Sequence, residues 1–355
     1  MSISKVFFIK NVSKESFASL IQKINFDFLS SKEFVALKVH FGEEKNTEFI
    51  KPEIFKPLVK KLYDLKTYPF FTDTNTIYAG KRANAITHLK LAQQHGFSAE
   101  RLSAPVVIAD GLKGNDSVEV KIGKKYFESV KVASYIYYAN ALICLSHFKG
   151  HMMFGFGGTI KNLGMGCSPR PAKFLLHNSL RPKLKVDRCS GCGLCVDYCS
   201  AKALVLNEKI SFLAERCVGC GECVHICPNK VFYIPWDSSY KEVQEKTVEY
   251  AYGVWKVKQG KCLFFSFLDN INTDCDCMET RHASVLKNIG ILASTDPLSI
   301  DIVSLKIVNE EYSRLKGKNE DLFKTFWPEI NYNYQIEYAR EIGLGSDKYE
   351  LVVIN

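Results

Sequence analysis

Cys189-Ser-Gly-Cys192-Gly-Leu-Cys195-Val-Asp-Tyr-Cys199 and Cys217-Val-Gly-Cys220-Gly-Glu-Cys223-Val-His-Ile-Cys227-Pro228 share one pattern: three cysteines two residues apart, then a fourth after three more. This is the spacing with which bacterial ferredoxins hold [4Fe–4S] clusters, the fourth cysteine of each run reaching the other cluster. Cys189, Cys192, Cys195 and Cys227 are therefore predicted to bind one cluster, and Cys217, Cys220, Cys223 and Cys199 the other. Gly191, Gly193, Gly219 and Gly221 suit loops whose N–H groups approach sulfur. Pro228 ends the second run, whereas Ser200 stands at that place in the first. Zinc ribbons use two ligand pairs across a longer gap, and disulfide frameworks belong to small secreted domains. Neither fits two identical four-cysteine runs.

The flanks read differently. N-terminal to the runs, Phe34–His40, Pro69–Phe71, Val106–Ala109 and Ala141–Ser146 are predicted strands. They alternate with helices over Pro52–Leu65 and Ala83–His95, and with a small hairpin, Val118–Ile122 against Tyr126–Val132. After the runs, Tyr240–Tyr252 and Pro297–Tyr312 read as helices, and Cys262–Leu268 and Asn288–Ser294 as strands. Strands alternating with helices imply a mainly parallel α/β sheet. The predicted fold is thus an α/β domain contributed by residues 1–184 and 237–355. An α+β ferredoxin-like two-cluster module, residues 185–236, is inserted within it. Three separate domains are the competing arrangement, since the segment after Asp237 is long enough to fold alone.

Composition narrows the class. The chain has 355 residues, 46% of them hydrophobic, thirteen cysteines and a formal charge of +9. The apolar stretch Val6–Ile9 is too short for a signal peptide. The longest apolar run, Ala133–Leu145, is too short and too interrupted to span a bilayer. Many cysteines without a secretion signal point to a reducing cytoplasm. The lysines of Lys56–Lys66 have the spacing of a solvated helix face, so neither nucleic acid nor membrane is an expected partner. A redox partner protein or a small-molecule substrate is.

Two further segments carry chemistry. His147-Phe-Lys149-Gly-His151-Met-Met-Phe-Gly155-Phe-Gly157-Gly158-Thr-Ile-Lys161-Asn-Leu-Gly164-Met-Gly166-Cys167 follows a predicted buried strand, where ligands bind in open α/β sheets. It is neither a Walker A loop nor a G-x-G-x-x-G fingerprint. Its glycines would let N–H groups face an anion, Lys149 and Lys161 add positive charge, and a helical turn would place His147 and His151 on one face. A tight structural loop packed on the clusters is the other reading. Thr273-Asp-Cys275-Asp-Cys277 places two thiols one residue apart. That is awkward for a disulfide between them and suited to a metal or a redox pair, with two ordinary buried thiols as the alternative. Lys149, His151, Lys161, Cys275 and Cys277 are the candidate catalytic residues, and Cys275 with Cys277 the candidate site of an additional metal. His40, Glu43, Glu44, Asp73, Thr74, Asn75 and Asp296 end predicted strands and could face the same cleft. Asp296-Pro297 equally fits a helix N-cap. Cys144 and Cys262 fall in apolar strands and read as core.

The blocks Lys38-Val-His-Phe-Gly-Glu43, Phe71-Thr-Asp-Thr-Asn-Thr76, Ser146-His-Phe-Lys-Gly-His151, Lys161-Asn-Leu-Gly-Met-Gly-Cys167, Asp274-Cys-Asp-Cys277 and Gly290-Ile-Leu-Ala-Ser together resemble domain-of-unknown-function family 362. The resemblance implies an iron–sulfur centre protein with an α/β host and an inserted two-cluster module, and it supplies no reaction. Two functions follow as expectations. One is an iron–sulfur oxidoreductase whose clusters feed a site at the glycine loop and the Cys275/Cys277 motif. The other is a non-catalytic electron-transfer or metal/cluster assembly protein that docks to a partner.

Overall fold

The computed structural model describes residues 3–78, 80–177, 182–199, 201–217, 221–233, 239–258, 260–278 and 282–354. Cys220, Gly219 and Ser200 lie outside them. Eight strands build the main sheet: β1 Ser4–Lys10, β2 Phe34–Val39, β3 Tyr68–Asp73, β4 Val106–Ile108, β5 Ala141–His147, β6 Cys262–Leu268, β7 Gly290–Ser294 and β8 Tyr349–Ile354. Their order is β8-β1-β7-β6-β5-β2-β3-β4. Every neighbouring pair is parallel except those made by β7, which runs antiparallel to both β1 and β6. The α/β class and mainly parallel sheet expected from the sequence are present. β1 and β8 were not read from it.

The period-2 alternation of the strands sends their side chains to two cores. Val35, Leu37, Val39, Ile143, Leu145, Phe265 and Phe267 face one core, which helices α1 (Lys14–Lys23) and α2 (Lys56–Asp64) cover with Phe17, Leu20, Leu58 and Leu62. Ala36, Leu142, Cys144, Cys262 and Phe264 face the other. There Ile160 and Leu163 of α4 (Thr159–Gly164), Val248 and Val254 of α6 (Tyr240–Lys258) and Val303 of α7 (Pro297–Lys316) pack on the sheet. A fully buried side chain of this kind contributes roughly 1.5–3 kcal/mol, so a sheet covered on both faces is the sink for this composition. Cys144 and Cys262 are core residues, as expected.

Helix ends follow local chemistry. Asn84 accepts from Thr87 N at the start of α3 (Ala85–Gln94). Asp296 accepts from Leu298 N and Ser299 N, with Pro297 at the first helical position. Asp296 is therefore the cap of α7 and takes no part in the cleft.

Between α5 (Arg170–Leu176) and α6 lies the cysteine-rich insert. Lys183–Leu184 pairs with Phe232–Tyr233, and Leu204–Leu206 with Ile210–Phe212, both antiparallel. Cys189, Cys195, Leu204, Ile210, Val231 and Phe232 form a small core of its own.

β2 leads on to β3 and β4 on one side, while β5 and β6 lie on its other side. The sheet thus reverses between β2 and β5. Crevices at the carboxyl ends of such strands are where open α/β sheets bind ligands.

Candidate functional site

The two halves of the insert repeat one local conformation. A short 3-10 turn, Val186–Arg188 or Ala214–Arg216, delivers Cys189 at φ −72°, ψ 125° and Cys217 at φ −73°, ψ 123°. A left-handed glycine then starts each short helix, Gly193 at φ 77° and Gly221 at φ 76°. Backbone N–H groups donate to sulfur, Gly191 to Cys189 at 3.4 Å, Ala203 to Cys199 at 3.2 Å and Val231 to Cys227 at 3.4 Å. Burial pushes the Cys195 thiol up, and Cys227, Cys192 and Cys189 add to the shift as neighbouring thiols. Cys199, Cys217 and Cys223 line one small cavity in the other half. Cys192 is exposed.

The second half of the insert sits on the host. Arg170 of α5 donates to Glu222 Oε1 at 2.7 Å and to Thr76 O at 3.1 Å. A Cβ on Gly221 would lie 2.6 Å from the Phe174 ring. Val224 and Tyr78 both pack against the buried pair formed by Ile77 and Phe174.

Ile77 and Tyr78 are also walls of a cavity of about 820 Å³ at the carboxyl ends of β2, β3 and β5. His40, Glu43 and Asp73 line it, so three of the predicted strand-end residues converge there. Glu44 instead lies near Lys81 at 3.8 Å, on the surface. Thr74 and Asn75 are buried behind the wall and accept from Lys173 Nζ at 2.6 and 2.5 Å. Lys38, the one charged residue of β2, meets Asp73 at 2.9 Å and donates to Asn162 at 2.8 Å. Arg82 bridges Glu43 at 2.7 Å and Asp73 at 2.8 Å. Burial would raise the Asp73 pKa, but Lys38 and Arg82 outweigh it and hold the carboxyl far below its usual range. Lys38 could be suspected from its place in an apolar strand. Arg82 and Tyr78 carry no local signal.

His151, Lys161, Cys275 and Cys277 all line this cavity. The His151 ring and the two sulfurs lie within 4.8 Å of one another, a group able to hold a metal ion when both sulfurs are free thiolates. Lys161 Nζ is 4.0 Å from Cys275 Sγ. Lys149 is buried and spends its charge on Asp276 Oδ1 at 3.4 Å. His147 meets Asp276 Oδ2 at 2.8 Å from Nδ1 and Asp269 O at 2.7 Å from Nε2. Burial acts to raise Asp276, yet His147 and Lys149 prevail and keep it well below the usual carboxylate range. Tyr78 donates to Glu43 Oε1 at 2.7 Å and to Cys277 O at 3.3 Å. Asn46 donates to Met278 O at 3.1 Å. The segment carrying Cys275 and Cys277 is thereby tied to the loops after β2 and β3.

Three sequence expectations change. His147 ends β5 and His151 belongs to a short strand, Lys149–His151, so no helical turn aligns them. The glycines of that loop serve close packing. A Cβ on Gly150 would meet Asn272 O at 2.5 Å, and one on Gly158 would meet Asp301 Oδ1 at 2.4 Å. The N–H groups of Thr159 and Ile160 donate to Asp301 at 2.7 and 2.9 Å, an internal carboxylate where an external anion was expected. Finally, Cys275 and Cys277 are joined in the structure. A turn closed by Met278 N to Cys275 O at 3.0 Å sets their Cα atoms 5.2 Å apart. That lies within the span disulfides use.

The domain of unknown function DUF362 matches this chain over residues 35–306. The chain belongs to the DUF362 family. No curated protein matches it. Among solved structures, the lactate racemase apoprotein from Thermoanaerobacterium thermosaccharolyticum aligns at 11% identity and a TM-score of 0.44, covering 86% of this chain and 57% of that one. A Thermotoga maritima protein aligns at 11% identity and a TM-score of 0.41, covering 86% and 58%. The chain thus spans little more than half the length of either structure. Among the described residues of this DUF362 protein, no helix is long and apolar enough to cross a membrane.

Proposed function

We propose that this DUF362 protein is an iron–sulfur oxidoreductase that carries electrons through its cysteine-rich insert into the cavity of its own α/β domain. The donor set of the insert fits two [4Fe–4S] clusters. Soft thiolates converge in two groups, with backbone N–H donors at Cys189, Cys199 and Cys227. Cys189, Cys192, Cys195 and Cys227 would hold one cluster. Cys199, Cys217 and Cys223, with Cys220 outside the described residues, would hold the other. Bound there, the clusters supply single electrons at low potential.

The observation that carries the reading is the seat of the second cysteine group. Its short helix, through Val224, packs against the Ile77–Phe174 pair on which Tyr78 also packs, and Ile77 and Tyr78 are walls of the cavity. Tyr78 then touches the Cys275–Cys277 segment through its hydroxyl. The first group, with Cys192 exposed, is the one an external donor can reach. Lys161 and His151 hold the substrate beside the Cys275/Cys277 sulfurs. An assembly factor is the second reading, favoured by the His151–Cys275–Cys277 group. It requires the Cys275–Cys277 bond to be reduced and His151 to give up its contact with Met153 N, which donates to Nδ1 at 3.1 Å and leaves the ring proton on Nε2.

The test is metal analysis of anaerobically purified protein. About eight irons and as many sulfides per chain are expected for two cubanes. Cys192→Ser and Cys223→Ser should each lose roughly half of that iron, and Cys144→Ser none. Stoichiometric zinc, or less than about one iron per chain, would refute the reading. Full iron with a further bound metal lost in Cys277→Ala would favour the assembly factor.

A further inference from the structure

The buried cations in and around the large cavity are closed by internal partners, with one exception. Lys38 and Arg82 close on Asp73 and Glu43. Lys149 closes on Asp276. Lys173 gives its protons to Thr74 Oγ1 and Asn75 O. Lys161 differs. Among the described residues it makes no ion pair, and its one hydrogen-bond neighbour is Cys275 Sγ at 4.0 Å. An ammonium in such a place is costly without a counter-charge. Burial brings its pKa down to about 8.

His151 stands beside it. Because Nδ1 accepts from Met153 N, the neutral ring carries its proton on Nε2 and has a second donor to offer. The backbone cannot add more at this point, since the start of α4 is already closed by Asp301. One spare cation and one neutral donor match a single negative charge. A dianionic phosphate would ask for more.

Apolar side chains share the rest of the wall with His147, His177, Asp274 and His282. Ile77, Leu145, Met153, Met165 and Trp327 line the cavity, with Met152 and Tyr240 exposed at its rim. Thioether side chains adapt to irregular ligands and make favourable contacts with rings. A volume of about 820 Å³ is that of a site for a whole organic molecule, not for an ion.

We propose that the cavity binds an organic monoanion, an apolar or aromatic body bearing one carboxylate, with the carboxylate held by Lys161 and His151 and the body lodged among Met152, Met153, Met165 and Trp327. This names the substrate class of the site and rests on the reading of the cavity as the place of reaction. The carboxylate end lies at the Cys275/Cys277 sulfurs.

The experiment is calorimetric titration of the anaerobic, cluster-loaded protein with 2-naphthoate, its neutral twin 2-naphthamide, and inorganic phosphate. Naphthoate is expected to bind at least about tenfold more tightly than naphthamide, the factor given by about 1.4 kcal/mol. Lys161→Met should abolish that preference and leave naphthamide binding as it was. Lys161→Arg should keep it, which separates lost charge from lost fold. Met152→Ala should weaken both naphthalenes alike. Equal binding of acid and amide, a preference that survives Lys161→Met, phosphate binding as tightly as naphthoate, or no binding of either naphthalene would each overturn the proposal. Iron content is read on the same samples. Binding failure with full iron therefore refutes this inference alone, and iron loss with intact binding refutes only the electron-transfer reading.

Discussion

Asp276→Asn is the sharpest test of the site's electrostatics. The carboxylate is buried between Cys275 and Cys277. It receives Lys149 Nζ at 3.4 Å and His147 Nδ1 at 2.8 Å, with Lys149 itself only 3% exposed. At an effective dielectric constant of about 20, a charge pair at that lysine distance is worth about 5 kcal/mol before desolvation. Removing one partner of such a pair strands the other and typically costs about 3–5 kcal/mol. The expected loss for Asp276→Asn is therefore about 3–4 kcal/mol. It would be read by urea denaturation under anaerobic conditions, followed by the fluorescence of the host tryptophans Trp255 and Trp327.

Because the penalty comes from the stranded ammonium, Asp276→Asn with Lys149→Met should recover at least about 1 kcal/mol. The pH dependence has a definite sign. The folded carboxyl is held below its unfolded value of about 3.9, so the stabilisation is present above that pH and is lost as pH falls towards the folded pKa. The difference between wild type and Asp276→Asn should shrink on acidification below about pH 4. A loss under about 1 kcal/mol for the single variant, or a double variant no more stable than the single one, would refute this account of the site.

Two other substitutions probe the frame around the cavity. Burial raises the Asp301 carboxyl to about 7, despite the N–H groups of Ile160 and Thr159. Between about pH 4 and that value the folded protein holds the proton more tightly than the unfolded chain, so stability should fall as pH rises through the window. Comparing urea midpoints at pH 5 and 7.5 should show a smaller fall for Asp301→Asn, and an equal fall would count against the assignment. Gly150→Ala would drive a Cβ to within 2.5 Å of Asn272 O and 2.7 Å of Thr273 O, both backbone atoms. Overpacking of this kind costs roughly 1–3 kcal/mol, and a variant as stable as wild type would mean that the Lys149–His151 strand and the turn at Asn272–Thr273 do not meet this closely.

Much of the fold was legible because its signals are local. The short continuous apolar runs Ala141–Ser146 and Cys262–Leu268 mark strands buried on both faces, and Asp296-Pro297 marks a helix start. Val6–Ile9 was too short to distinguish from a stray apolar run. It becomes β1 only because β7 and β8 flank it, and pairing across the chain leaves no mark on neighbouring residues. The glycine loop misled for a related reason. Glycine serves an external anion and an internal close contact equally well, and the partner that decides, Asp301, is 143 residues beyond Gly158 in the chain.

The sequence by itself determined the spacing of the cysteine runs, the α/β class and the candidacy of His151, Lys161, Cys275 and Cys277, because spacing and periodicity are properties of short stretches. Only the tertiary structure decided that these four side chains share one cavity, that Asp276 takes Lys149 out of play, and that Arg82 and Lys38 neutralise Glu43 and Asp73. It also brought Val224 of the insert against the Ile77–Phe174 pair, of which Ile77 is part of the cavity wall. The physical reason is that a buried charge is defined by its partners, and here those partners come from β2, β3, β5 and the turn after β6, which meet only when the sheet has formed.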